Sequence, residues 1–331
     1  MTKPAVLLSI LLITIPSWVM DFKKDRLTVF ASLSYYKVDF DGDKLGDLSV
    51  WDPKTNTLYF QQTSDNKFYQ KKFFENKLEH DPVFADYDGD GKTDFAFFQM
   101  DSGEWSIFPS SGSEIPVKSF FGALGDLPIP SNLDGDNKYE IGIWRPVSSA
   151  WLLTGFEKDG SKKPKLIHEG SYQDSTFSGD YDGDKKSDLI VWRPDDGYWH
   201  IVKSSNEYDF NNSEHIQNGQ EWDIIVPNDY NGDGKCDLVL WRPQNQNWYL
   251  IYAGSLGQGQ GQSQNQIKFG EKGDIPLSSD LDGDGIAELI TWNMQKKSWN
   301  VLNFKKQESL SYNWTVPDGC IPASSILQKY E

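Results

Sequence analysis

Cysteine and histidine are scarce in this chain, with two of the first and four of the second among 331 residues. Two thiols, Cys236 and Cys320, cannot make a disulfide framework, and they read as free rather than bridged. Basic residues are also short. The 32 Lys and Arg stand against 49 Asp and Glu, a formal net charge of −17. That balance argues against nucleic acid and anionic membrane surfaces as partners, and it suits the binding of cations. No segment longer than the amino-terminal apolar run shows helical periodicity. Aromatics are not lacking: they make up 14% of the residues, with 13 Trp, which excludes the disordered acidic class.

Only one apolar run is long, from Ala5 to Ile15, preceded by Lys3 and followed by Pro16 and Ser17. It has the length of a secretory hydrophobic region and is short for a membrane span. Residues 1–20 therefore read as a signal peptide. They become an N-terminal anchor if uncleaved, because Trp18, Val19 and Met20 lack the small-residue cleavage pattern. Residues 21–331 read as a single domain that is secreted, periplasmic or on the cell surface.

What fills that domain is a repeat. "DFDGDKLGDLSVW" begins at Asp39, "DYDGDGKTDFAFF" at Asp86 and "NLDGDNKYEIGIW" at Asn132. "DYDGDKKSDLIVW" begins at Asp180, "DYNGDGKCDLVLW" at Asp229 and "DLDGDGIAELITW" at Asp280. The spacings are 47, 46, 48, 49 and 51 residues, and the longest holds a low-complexity loop at 255–266. After each acidic stretch comes a strand pattern, a turn such as "RPDDG" at 193–197, and a second strand such as "YWHIV" at 198–202. A more polar third strand and a short fourth, such as "DIIVP" at 223–227, complete the period. Four short strands in about 45–50 residues is one propeller blade. The expected fold is an all-β propeller of four-stranded antiparallel blades, with six blades preferred and seven as the alternative.

The thirteenth position of each repeat is Trp51, Phe98, Trp144, Trp192, Trp241 or Trp292, and seven residues later stand Leu58, Trp105, Trp151, Trp199, Trp248 and Trp299. Rings that recur in nearly every repeat are expected to fill the gaps between blades rather than to form a sugar-stacking girdle.

Numbered from the first residue of each loop, positions 1, 3 and 5 are Asp or Asn, position 4 is always Gly and position 9 is Asp or Glu. The position-4 glycine lets the chain curl, so that alternate carboxylates, the position-7 carbonyl and the position-9 acid can surround one ion. The predicted ligand sets are Asp39, Asp41, Asp43, Leu45 and Asp47 for loop 1, and Asp86, Asp88, Asp90, Lys92 and Asp94 for loop 2. Loop 3 offers Asn132, Asp134, Asp136, Lys138 and Glu140, and loop 4 Asp180, Asp182, Asp184, Lys186 and Asp188. Loop 5 offers Asp229, Asn231, Asp233, Lys235 and Asp237, and loop 6 Asp280, Asp282, Asp284, Ile286 and Glu288. Six to eight oxygens is the calcium preference, and no His or Cys stands at a ligand position to favour a transition metal. Up to six Ca2+ ions are expected, which takes −17 to about −5. Asn132 and Asn231 lower the ligand charge of loops 3 and 5, and Lys44 and Lys185 replace the usual position-6 Gly in loops 1 and 4. An EF-hand is excluded, because its position-12 Glu is replaced by Val50, Phe97, Ile143, Val191, Leu240 or Thr291 and its flanks would be helices.

These loops, followed by strands of the type "VWRP", resemble the FG-GAP or VCBS repeats of integrin α-like propellers over residues 35–316. The resemblance implies a calcium-stabilised propeller with metal loops joining the first two strands of each blade. Relatives serve as adhesion modules, lectins and surface scaffolds, and more rarely as polysaccharide lyases. "RLTVFAS" at 26–32 and "GCIPASSI" at 319–326 are candidates to close the ring or to begin a seventh blade.

No catalytic constellation stands out. His80, His168, His200 and His215 lack a motif, and Arg145, Arg193 and Arg242 recur with the repeat, which suggests that they tie blades together. The expected function is a non-catalytic adhesion or recognition module for a protein or glycan partner. A calcium-dependent polysaccharide lyase or hydrolase, and a structural domain of a surface assembly, are the alternatives.

Overall fold

The computed structural model describes residues 38–324 apart from 77, 113–114, 155–164, 169, 172 and 255–264. The leader, the 26–32 stretch and most of the 255–266 loop lie outside the described residues. The described chain forms six sheets of four antiparallel strands each, arranged as a propeller. Among the described residues, helix is confined to three short 3-10 turns, Pro146–Ser148, Ser204–Asn206 and Phe210–Asn212.

The fourth blade shows the plan. Its strands are Ser175–Gly179, Asp188–Arg193, Tyr198–Val202 and Glu214–Gln217, hydrogen-bonded in that order. Burial is complete in the first strand and falls to mostly half-buried or exposed positions in the fourth. The second strand is apolar from Leu189 to Trp192 because both of its faces are covered. Leu189 and Val191 pack with Trp144 and Trp151 of the third blade, while Ile190 and Trp192 pack with Leu238 and Leu240 of the fifth.

The recurring aromatics fill the gaps between blades, as the repeat implies. Trp192 and Trp199 are direct cross-strand partners, and so are Trp144 with Trp151 and Trp292 with Trp299. The first and second blades have fewer tryptophans and use phenylalanine instead, with Trp51 4.9 Å from Phe97 between ring centroids. The "GCIP" segment closes the ring. Ile321–Pro322 pairs antiparallel with Leu48–Asp52, so the first blade takes its innermost strand from the other end of the fold, and the blades number six.

The repeated arginines act differently from the sequence expectation. Arg193, at the end of a second strand, pairs with Asp174, just before the first strand of the same blade. Arg145–Asp126 and Arg242–Asp223 repeat the arrangement, so each pair ties the connection entering a blade to that blade's own second strand, not one blade to the next. Both cysteines are buried and free.

Candidate metal centre

Loops 2 to 6 join the first strand of their blade to the second, loop 1 leads directly into the second strand of its blade, and each loop's conformation is held by its own carboxylates. In loop 4, Asp180 Oδ1 accepts from the Gly183 N–H at 2.6 Å, and Oδ2 accepts from Lys185 at 2.8 Å. Asp184 Oδ1 accepts from Lys186 at 2.9 Å. The curl needs left-handed backbone at positions 4 and 6. Gly183 supplies the first at φ 88°, and Lys185 adopts the second at φ 70° without being glycine. Lys44 and Asn137 do the same in loops 1 and 3, so position 6 keeps one shape whatever its side chain.

The curl brings together three of the predicted acids in five of the loops, at positions 1, 3 and 5 in loops 1, 2, 4 and 6 and at positions 3, 5 and 9 in loop 3. One carboxylate oxygen from each of Asp180, Asp182 and Asp184 lies within 4.8 Å of the others. Asp39–Asp41–Asp43, Asp86–Asp88–Asp90, Asp280–Asp282–Asp284 and, in loop 3, Asp134–Asp136–Glu140 form equivalent clusters. Loop 5, where Asn231 takes the third position, has no such three-acid cluster, and Asn231 Nδ2 turns to Asp233 Oδ2 at 3.3 Å. In loop 3, Asn132 Oδ1 still accepts from Gly135, but its Nδ2 is spent on the Lys185 carbonyl. A set made only of hard oxygens at this spacing can hold a metal ion.

The position-9 acid anchors every loop and is buried in all but loop 3, where Glu140 is half-buried. Asp188 Oδ2 accepts from Tyr181 N–H at 2.8 Å, and its Oδ1 accepts from Ser204 N–H at 2.7 Å. Asp47, Asp94 and Asp237 make the same two-sided contact, from loop position 2 to the end of the third strand. Burial pushes the Asp188 and Asp237 carboxyls up to about 7, partly offset by these N–H donors and increased by neighbouring aspartates. Burial likewise raises Glu140 and Glu288 to about 7 and Asp47 to about 6. A carboxyl held so high gains from a cation beside it.

Three features escaped the sequence reading. Ser64, Ser111 and Ser205 donate their hydroxyls to the position-3 aspartates Asp41, Asp88 and Asp182. Ser110 and Ser204 donate to Asp90 and Asp184 at 2.6 and 2.8 Å. The signal was a hydroxyl pair at one fixed distance after the loop: Thr63–Ser64, Ser110–Ser111 and Ser204–Ser205 each begin 24 residues beyond position 1.

Second, the loops form one ring. The position-8 N–H of each loop donates to the position-1 carbonyl of the loop before it: Thr93 to Asp39, Tyr139 to Asp86, Ser187 to Asn132, Cys236 to Asp180, Ala287 to Asp229 and Gly46 to Asp280, all at 2.7–2.9 Å. Third, the position-7 side chains Lys92, Lys138, Lys186, Lys235, Ile286 and Leu45 lie over the position-4 glycine of that same preceding loop. The glycine thus serves two needs, a left-handed turn and room for a neighbour.

The histidines lie apart from the loops. His80 is buried, stacked on Phe74 at 3.7 Å, rather than in the polar setting its sequence neighbours imply. His200 and His215, cross-strand partners in the fourth blade, bring their Nδ1 atoms to 2.9 Å. His168 Nδ1 lies 3.3 Å from the Ser148 carbonyl.

Fold and loops together define a six-bladed β-propeller, five of whose acidic loops carry clusters that could hold a metal ion. The FG-GAP-like repeat family matches residues 39–97 and 229–291, the segments holding loops 1, 2, 5 and 6, and the chain is a propeller of the FG-GAP/VCBS type. Among solved structures, an Agrocybe aegerita lectin that recognises non-reducing terminal N-acetylglucosamine is similar, with a TM-score of 0.57 at 14% identity over 81% of this chain and 76% of that one. AztD from Citrobacter koseri gives 0.47 at 10% identity over 80% and 86%. At such identities the likeness is one of fold alone. No curated protein matches the sequence.

Proposed function

We propose that this protein is a calcium-stabilised, non-catalytic recognition propeller working outside the cytoplasm, with a glycan or a protein as its partner. One observation carries the calcium reading: an oxygen-only donor set recurs around one ring, and five of the six loops bring three acids within 4.8 Å. Calcium accepts six to eight oxygens in irregular geometry, whereas magnesium demands a stricter octahedron and keeps its waters. FG-GAP-type repeats commonly bind calcium, which supports the same choice. Recognition rests on analogy of fold, the Agrocybe lectin being a glycan binder on a similar propeller, and placement outside the cytoplasm rests on the apolar leader at 1–20.

Elemental analysis of the purified protein, with thermal melts in calcium and in chelator, tests the first part. Bound calcium and a chelator-sensitive melting temperature are the expected result; a protein indifferent to divalent ions sinks it. Glycan and protein-partner arrays, run with and without chelator, test the second. Turnover of a polysaccharide in place of simple binding overturns the non-catalytic reading.

A further inference from the structure

Loop 6 has a complete acidic set in sequence, yet its surroundings differ from those of loops 1, 2 and 4. In those three the end of the third strand offers serine hydroxyls to the aspartates, which are neutral donors and leave the negative charge for an ion. At the same corner of blade 6 the strand Ser298–Asn303 runs into the turn "FKKQ" at 304–307. Asn303 Nδ2 donates to Asp282 Oδ2 at 2.8 Å and to Glu288 Oε1 at 2.9 Å. Asn303 Oδ1 accepts from Lys306 N–H at 2.8 Å, which fixes the turn. The turn delivers the Lys306 ammonium onto Asp282 Oδ2 and to 3.7 Å from Asp284 Oδ2. The adjacent Lys305 Nζ reaches the Asn231 carbonyl of loop 5 at 3.3 Å, in the loop where an amide already replaces an acid.

We propose that Lys306 is a tethered cation that occupies the mouth of loop 6, so that a divalent ion enters this loop only by displacing the ammonium, after loops 1, 2 and 4 have filled. Lys305 plays a lesser version of the part at loop 5. The inference rests on the reading of the loops as calcium sites and adds an order of filling to it. Lys306 is 47% exposed on its side chain, so water can take it up once it is displaced, and the contact delays an ion without barring it.

The test is calorimetric titration of the full chain with calcium alone, comparing the native protein with Lys306→Met and Lys306→Arg. Lys306→Met keeps the stem and removes the charge; it tightens the weakest class of sites by up to about fivefold. Lys306→Arg keeps the charge and stays near the native isotherm. Adding Asp284→Asn to Lys306→Met removes the gain, which assigns it to loop 6. Should Lys306→Met superimpose on the native isotherm while the native protein binds calcium, the proposal is wrong and the calcium reading stands. A gain that survives Asp284→Asn also overturns it. No heat of binding in any of the proteins overturns the calcium reading, and the proposal with it. Lys306→Ala gives the same comparison if the methionine variant misfolds.

Discussion

The Gly46 N–H donates to the Asp280 carbonyl at 2.7 Å, so the first acidic loop is bonded to the last and the ring has no open joint. The other five joints place Thr93, Tyr139, Ser187, Cys236 or Ala287 at the donor position, and only this one uses glycine. The reason is space: a Cβ on Gly46 meets Ser279 Oγ at 2.0 Å and the Asp280 carbonyl oxygen at 3.2 Å. Gly46→Ala is expected to cost about 1–3 kcal/mol in urea unfolding, by overpacking. Pairing it with Ser279→Gly should recover most of the loss; a double variant no better than the single one refutes the steric account.

Loop 4 offers the cleanest test of ion linkage. Asp184 faces the acid cluster, and its Oδ2 is held by Ser204 Oγ at 2.8 Å. Asp184→Ala lowers the melting temperature in calcium and shrinks the further drop that chelator produces. At calcium one hundred times the dissociation constant, one lost ion is worth about 2.7 kcal/mol. An unaltered difference between the calcium and chelator melts shows that loop 4 holds no ion.

Trp192 is buried between blades four and five, with Nε1 3.3 Å from the Asn218 carbonyl. Trp192→Ala leaves an unfilled gap and removes a donor to that carbonyl, and should destabilise by about 3–5 kcal/mol in chemical denaturation. A near-neutral change, with binding to a glycan lost, points instead to a sugar platform.

Acid should weaken the fourth blade through His200. Burial pushes this imidazole down to about 4, the neighbouring Arg193 guanidinium and the His215 ring push it the same way, and Asp196 opposes them. The unfolded chain therefore binds the extra proton first. The stability contributed by the neutral ring is full above pH 6.5 and is lost as pH falls from there towards 4, by roughly 1–3 kcal/mol. Unfolding midpoints measured in chelator across that range should show a steeper decline for the native protein than for His200→Phe. Parallel curves rule out His200 as the source.

The parts visible beforehand were those written into a local period. Gly183 and its counterparts, the alternate acids and the Trp192–Trp199 pair recur at fixed spacing, so the blade and its loop could be drawn from one repeat. Contacts between repeats left weaker marks. The ring of bonds from position 8 to position 1 uses backbone atoms, which any residue supplies, as Thr93, Tyr139 and Ala287 illustrate. Ile321–Pro322 is too short to show a strand period, and only the likeness of "GCIP" at 319–322 to "GDIP" at 273–276 marks its place. Lys306 sits on loop 6 because of a turn 24 residues beyond Asp282, a distance over which charge patterning alone says nothing.

The strand Ile321–Pro322 is the last of the twenty-four described along the chain, yet it lies against the first of them. A ribosome making this protein exposes the leading blade one strand short, and that blade waits, its bare inner edge able to pair with other chains, until the strands of the other five blades have been translated. Completion of the circle therefore cannot precede synthesis of the sixth blade. Disruption of this two-residue strand would harm the protein far more than its length suggests, because it would reopen every neighbour relationship that depends on closure.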